Sequence, residues 1–216
     1  MKLVLFDCDG TLVDSVRRIH ETFRRTFIAF NYPAPSLEDV KSIVGLSLDI
    51  SFARLLGRET VDEEAMAMRL HFKSLFAEIH ADPAMTEQLF PGISELVDAL
   101  ARRDDVIIGA VTGNSRRGLN HILSLHGFSA HFRVSRTADD CPSKPDPAMV
   151  LECCAELDFN PAQTLVIGDA VFDMQMAKAA GADAIGVAWG YGTVDALKSA
   201  GADMTVGSPE DILNYI

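Results

Sequence analysis

The stretch Leu3–Ser15, LVLFDCDGTLVDS, constrains the fold of this chain more than any other. Leu3, Val4, Leu5 and Phe6 form a continuous apolar run. A short run of this kind, ended by a turn signal, predicts a strand buried on both faces, as in parallel sheets. Asp7 ends the run, and Gly10 permits a sharp turn just after it. Ligands of open α/β sheets sit outside the carboxyl ends of the strands, so acidic residues here stand where such folds keep their sites. Side chains alternate along an extended chain, which turns Asp7 and Asp9 one way and Cys8 the other. Two carboxylates this close repel unless a proton or a cation lies between them. A turn rich in Asp and Gly is also an ordinary way to leave a strand, so the remaining chain has to decide.

From Ser15 to about Ala81 the pattern is helical. Three stripes recur at helix spacing: Ile19, Phe23, Phe27 and Phe30; Leu48, Phe52, Leu55 and Leu56; and Met68, Phe72, Leu75, Phe76 and Ile79. Ser36 with Asp39, and Thr60 with Glu63, predict capped helix starts. A crossover between parallel strands needs only one helix, so several helices in a row predict an inserted helical unit with its own core. After Phe90-Pro91-Gly92 helices and strands alternate. Strands are expected at Val106–Val111, His131–Ser135, Leu165–Gly168, Ile185–Val187 and Met204–Val206. Helices are expected at Ile93–Arg103, Ser115–His126, from Asp146-Pro147, at Val171–Ala180 and from Ser208. The fold class predicted is α/β: a doubly wound, Rossmann-like parallel sheet with an all-helical cap, the core being 1–15 and 86–216 and the cap 16–85.

Three further polar groups fall at strand ends or loops. Thr112-Gly113-Asn114 follows the Val106–Val111 strand and precedes a helix, where a hydroxyl and free N–H groups would cradle a phosphate. Lys144 sits in the proline-restricted string SKPDP. Gly168-Asp169, with Asp173 four residues on, sets two carboxylates at a strand-to-helix junction. Each has a plain reading as a capped turn or a solvated lysine.

Their order, Asp-x-Asp-Gly-Thr, then Thr, then Lys, then Gly-Asp-x-x-x-Asp, resembles the haloacid dehalogenase superfamily in its phosphatase branch. TGNSRRGLN, SKPDPAM, GDAVFDMQMAKAAG and VGLSL are similar to its phosphoglycolate phosphatase-like group. Ala170 departs from the pattern, because many relatives carry Ser or Thr there, and a hydrogen bond near the metal site is in question. The resemblance implies that Asp7 is the nucleophile and forms an aspartyl-phosphate. Asp9 is then the general acid and later the base, while Thr112, Gly113, Asn114 and Lys144 hold the phosphoryl group. Asp7, the carbonyl of Asp9 and Asp169 would bind Mg²⁺, with Asp173 in support. Carboxylates and carbonyls are the hard oxygen ligands that Mg²⁺ prefers, and phosphoryl transfer rests on positioning and charge neutralisation. Asp9 argues against a dehalogenase, which needs no general acid, and a phosphonate hydrolase departs from Asp at that position. The motif order does not look like a receiver domain. A sugar-phosphate mutase keeps all the motifs and stays open, as does a non-catalytic phospho-acceptor or binding protein.

Net charge of −12, from 31 acidic and 19 basic residues, argues against broad binding to nucleic acid or anionic membranes. It leaves room for a small phosphorylated metabolite, because a bound cation can dominate the local field. No apolar run approaches a membrane span, no signal peptide is visible, and four cysteines without metal or disulfide spacing suggest a reducing cytoplasm. The cap is expected to choose the phosphomonoester, with phosphoglycolate the substrate the resemblance names. Oligomeric state has no sequence signal. Arg17, Arg18 and Arg54 are candidates to meet a substrate carboxylate, with exposed helix charge the expected role for each. Gly45, between two cap helices, is a specificity candidate, and a bulky residue there is expected to change substrate ranking more than stability.

Overall fold

The computed structural model describes every residue, Met1–Ile216. The first apolar run forms β1 (Lys2–Phe6), whose residues Leu3 to Phe6 are fully buried. A sharp turn at Gly10 (φ +93°) leads into β2 (Val13–Asp14). Five helices follow without an intervening strand: α1 (Val16–Ala29), α2 (Leu37–Lys41), α3 (Leu48–Leu55), α4 (Glu63–Ser74) and α5 (Phe76–Ala81). The chain returns through β3 (Gln88–Leu89), which pairs antiparallel with β2, so a two-stranded ribbon brackets the helices. The second half supplies α6 (Ile93–Ala101), β4 (Val106–Thr112), α7 (Arg116–Leu125), β5 (Phe132–Thr137) and α8 (Ala148–Leu157). It continues with β6 (Thr164–Gly168), α9 (Val171–Ala180), β7 (Asp183–Val187), α10 (Val194–Ser199), β8 (Met204–Val206) and a 3₁₀ turn at Pro209–Tyr215.

Six strands make one parallel sheet in the order β5-β4-β1-β6-β7-β8. The alternation of β1 divides the core: Val4 and Phe6 join one apolar cluster, Leu3 and Leu5 the other. The first is closed by residues of α6 and α7, such as Leu96 and Leu119, and the second by residues of α8 and α9, such as Cys153 and Met174. The α/β class and the doubly wound sheet are therefore as the sequence predicts. From β1 the chain builds outward to β4 and β5, then returns to the other flank of β1 at β6. That reversal is the topological switch point, where such sheets bind ligands. The helices α1–α4 enclose a third cluster around Phe23, Phe27 and Phe52, into which Phe172 of α9 inserts.

Several local expectations need correction. The third stripe is two helices, broken at Leu75. Asp62, not Thr60, caps α4, its carboxylate accepting the Ala65 N–H at 2.9 Å. Pro147 precedes α8 and does not open it, and Asp146 accepts the Ala148 N–H instead. The short strands β2 and β3 are additional to the elements the sequence predicts, and the final segment is 3₁₀. No helix is long and apolar enough to cross a membrane.

Candidate active site

Three neighbouring strands, β4, β1 and β6, end at one edge and deliver Thr112, Asp7 and Asp169 there. All three are buried. The Asp7 N–H donates to the Ile167 carbonyl at 2.8 Å, which extends the strand ladder by one residue and fixes the direction of the side chain. Asp7 Oδ1 accepts from Lys144 Nζ at 2.6 Å, while Oδ2 has no protein partner. Lys144 Nζ also donates to Asp173 Oδ1 at 2.6 Å, and Asp173 Oδ2 accepts the Ala170 N–H at 3.0 Å. The backbone N–H of Ala170 thus helps orient Asp173, while the alanine side chain offers no hydroxyl to add a further bond.

Asp169 is gripped from the loop after β7 and from the first turn. Its Oδ2 accepts the Tyr191 N–H at 2.7 Å, and Oδ1 accepts the Thr11 hydroxyl at 3.2 Å. A Cβ at Gly10 would lie 2.3 Å from Asp169 Oδ2, so glycine is required there by close approach as well as by its positive φ. Asp7, Asp169 and Asp173 bring carboxylate oxygens within 4.8 Å of one another. Burial, with Asp173 beside it, pushes the Asp169 carboxyl up to about 7, against the bonds from Tyr191 and Thr11. Burial likewise raises Asp7 well above the ordinary carboxylate range, with Lys144 opposing and Asp173 and Asp169 reinforcing. For Lys144, burial works against the charge, but Asp173 and Asp7 outweigh it and raise the ammonium. One ammonium facing three carboxylates leaves the cluster short of positive charge. The three carboxylates are hard oxygen donors of the kind Mg²⁺ takes, and Asp7 Oδ2 is free of protein partners.

Asp9 lies on the neighbouring side. Its Oδ2 accepts from Asn114 Nδ2 at 3.0 Å, and the Asn114 N–H donates to Thr112 Oγ1 at 3.1 Å. The Thr112-Gly113-Asn114 turn is therefore tied to Asp9. Gly45 (φ +98°) covers this turn: a Cβ at Gly113 would meet the Gly45 carbonyl oxygen at 2.4 Å, and one at Gly45 would touch Ala170 at 3.6 Å. The Ser47 N–H donates to Ser143 Oγ at 2.8 Å, docking the same loop beside Lys144. The structure brings Asp7, Lys144, Asp169 and Asp173 into one cluster, links Asp9 to Asn114 and Thr112, and lays Gly45 over Gly113.

Arg18 corrects the expectation of exposed helix charge, being only 8% exposed. Its Nε lies 2.7 Å from Glu87 Oε1, and a terminal nitrogen lies 3.6 Å from Asp9 Oδ1. Glu87 is itself buried; burial raises its carboxyl, but His80 and the Arg18 charge outweigh this and hold it low. Tyr191 was also missed. Its hydroxyl accepts the N–H groups of Ser15 at 2.9 Å and Val16 at 3.0 Å, joining the start of α1 to the loop that holds Asp169. A signal for Arg18 did exist: Arg18, Thr22 and Thr26 are spaced by four, a polar row alongside Ile19, Phe23 and Phe27. Between Asp9, Asn114 and the helices α1, α4 and α5 lies a cavity of about 240 Å³.

Comparison with known proteins identifies the family. The sequence model of the haloacid dehalogenase-like hydrolases matches residues 4–187. The chain is 31% identical over 194 residues to a phosphoglycolate phosphatase of Pseudomonas putida, covering 88% of this chain and 70% of the relative. It is 28% identical over 218 residues to an N-acetylmuramic acid 6-phosphate phosphatase of Pseudomonas aeruginosa, covering 100% and 95%. In fold it is similar to a haloacid dehalogenase-like family hydrolase of Streptococcus pneumoniae, with a TM-score of 0.79, 24% identity and coverage of 100% and 98%. With its family model matched over residues 4–187, this chain belongs to the haloacid dehalogenase-like hydrolases and is a phosphoric monoester hydrolase of their phosphoglycolate phosphatase-like group.

Proposed function

We propose that the protein hydrolyses a small phosphomonoester through a covalent phosphoryl-aspartate at Asp7. The observation that carries this reading is Asp7 itself: buried at the end of the central strand, one oxygen held by Lys144 and the other without a partner. The free oxygen attacks phosphorus, an O–P bond forms to Asp7, and the bond to the substrate alcohol breaks. Asp9 gives its proton to the departing alkoxide, then takes one from the water that attacks the phosphoryl-aspartate. Inorganic phosphate leaves and Asp7 is regenerated. Lys144, the Thr112 hydroxyl and the N–H of Gly113 hold the phosphoryl oxygens, with Asn114 bracing the turn through its N–H to Thr112 Oγ1 and its side chain to Asp9. Asp7, Asp169 and the Asp9 carbonyl would hold Mg²⁺, with Asp173 fixing Lys144 beside them. When bound, the ion supplies charge neutralisation to the phosphoryl group. Residues 16–85 act as a cap over the core of 1–15 and 86–216, and Gly45 in that cap helps exclude water from the phosphoryl-aspartate. The names of relatives at 31% and 28% identity support phosphatase chemistry and differ in substrate, phosphoglycolate being one.

The test is turnover of a generic aryl phosphate with Mg²⁺ by wild type and Asp7→Asn. Wild type should turn over and should trap phosphate covalently on Asp7. The variant should keep its circular-dichroism spectrum and lose at least about a thousandfold in kcat, a barrier increase of about 4 kcal/mol. Near-normal activity in Asp7→Asn would sink the mechanism. Transfer of the phosphoryl group to a second sugar hydroxyl, rather than to water, would identify a mutase.

A further inference from the structure

The cavity between cap and core is chemically lopsided. Asp9, Gly113 and Asn114 line it on the side of the sheet, while Asp7 two residues before Asp9 is buried and not part of the lining. Nine of its 21 lining residues are hydrophobic, among them Ile19, Ile43, Leu48, Phe72, Phe76 and Ile79, and these supply most of the surface open to a ligand. Four basic side chains line it: Arg18 and His80 both face Glu87, Lys73 faces Asp139, and Arg117 has no carboxylate partner. Arg18 is held by Glu87 at 2.7 Å and lies 3.6 Å from Asp9, and Lys73 is paired with Asp139 at 2.8 Å. Arg117 lies at the exposed rim, its guanidinium 4.0 Å from the centre of the Phe76 ring. A carboxylate carried deep into this space would be stripped of water away from Arg117, the one lining cation without a carboxylate partner, and that disfavours it. An apolar group would gain about 0.8 kcal/mol for each methylene buried. The volume of about 240 Å³ exceeds the roughly 150 Å³ of a cavity that takes up benzene.

Resting on the hydrolytic reading above, we propose that the preferred substrate is the phosphomonoester of an apolar alcohol about the size of a benzyl or hexyl group, and not phosphoglycolate. The leaving group fills the cap cavity, and Asp9 meets its ester oxygen on the side of the sheet. Bond changes are those of the parent reaction: the P–O bond to this alcohol breaks, and the alcohol leaves with the proton from Asp9.

A series of primary alkyl phosphates tests this at saturating Mg²⁺: methyl, propyl, hexyl and benzyl phosphate, with phosphoglycolate alongside. These esters differ far less in leaving-group acidity than aryl esters do, so size and polarity set the ranking. The expected kcat/KM rises about fourfold per methylene until the cavity is full. Hexyl or benzyl phosphate should therefore exceed methyl phosphate by a hundredfold or more, with phosphoglycolate well below both. Ser51→Leu, which narrows the cavity from α3, should cut the hexyl-to-methyl ratio at least tenfold. The wild-type ranking stands as a test even if that variant folds poorly. A flat series, or phosphoglycolate ranked first, would overturn the apolar leaving group while leaving the phosphatase intact. No turnover of any ester would instead remove the hydrolytic reading, and the substrate class with it.

Discussion

Lys144 shows how much a single buried charge governs here. Its ammonium is fully buried between Asp7 and Asp173, at 2.6 Å from each. Removing one partner of such a pair leaves carboxylates uncompensated, at a cost of about 3–5 kcal/mol. Lys144→Met should lower urea-unfolding stability by that order in the presence of a chelator, and Mg²⁺ should recover part of it. Unfolding midpoints matched to wild type in chelator would refute the assignment. Glu21 carries a smaller, surface charge effect. Hydrogen bonds from Arg24, helped by Arg25, lower its carboxyl from 4.5 to about 2. A depressed acid stabilises the fold above its unfolded value, and the gain is lost as pH falls through the folded value. Glu21→Gln should therefore cost up to about 1 kcal/mol at neutral pH, and the difference from wild type should close as pH approaches 2. Unfolding curves at pH 7, 4 and 2.5 check the direction. The same contrast explains what could be read from the chain. Asp7, Asp9, Lys144 and Asp169 can be picked out as candidates because each sits in a short motif. Arg18 and Glu87 do not, because their pairing joins α1 to the segment just before β3, and nothing local to either residue reports it.

At the scale of elements, long periodic segments were legible and short paired ones were not. Ile19, Phe23 and Phe27 define α1 because one face must be apolar along four turns. The ribbon of β2 and β3 is two residues wide, and its pairing depends on where five intervening helices return the chain. The break between α4 and α5 leaves the 3.6-residue pattern nearly unchanged, so the stripe reads through it. Gly45 joins α2 to α3 at φ +98°, which adds a term to the expected effect of substitution. Gly45→Ala should cost about 1–2 kcal/mol from backbone strain alone, since its Cβ meets Ala170 at an ordinary 3.6 Å. Gly45→Phe adds bulk beside Ala170 and Phe172, and should lower kcat and change substrate ranking beyond the alanine variant. Thermal unfolding and kinetics on a small and a large ester separate the two contributions. Identical ranking in both variants would place Gly45 outside the specificity surface.

For the whole molecule, the decisive quantity is how a chain of net charge −12 tolerates three buried carboxylates at the centre of its sheet. Lys144 supplies one compensating charge, and the Tyr191 N–H and Thr11 hydroxyl supply only dipoles to Asp169. A divalent cation that binds the folded cluster and not the unfolded chain should therefore stabilise the entire fold. Mass action sets the size: about 2.7 kcal/mol at a hundredfold excess over Kd. For a chain of this length that corresponds to a rise in Tm of about 5–10 °C. Asp169→Asn keeps the shape and one hydrogen-bond acceptor but removes one negative charge. It should melt higher than wild type in chelator, because repulsion with Asp7 and Asp173 is relieved, and it should lose most of the rise on adding Mg²⁺. Ca²⁺ should also raise Tm in wild type, since its looser coordination accepts the same oxygens, yet support less turnover. Differential scanning calorimetry of both proteins in chelator, Mg²⁺ and Ca²⁺ reads all three effects. A wild-type Tm indifferent to either ion, or an Asp169→Asn variant that responds as fully as wild type, would remove Asp169 from the metal site.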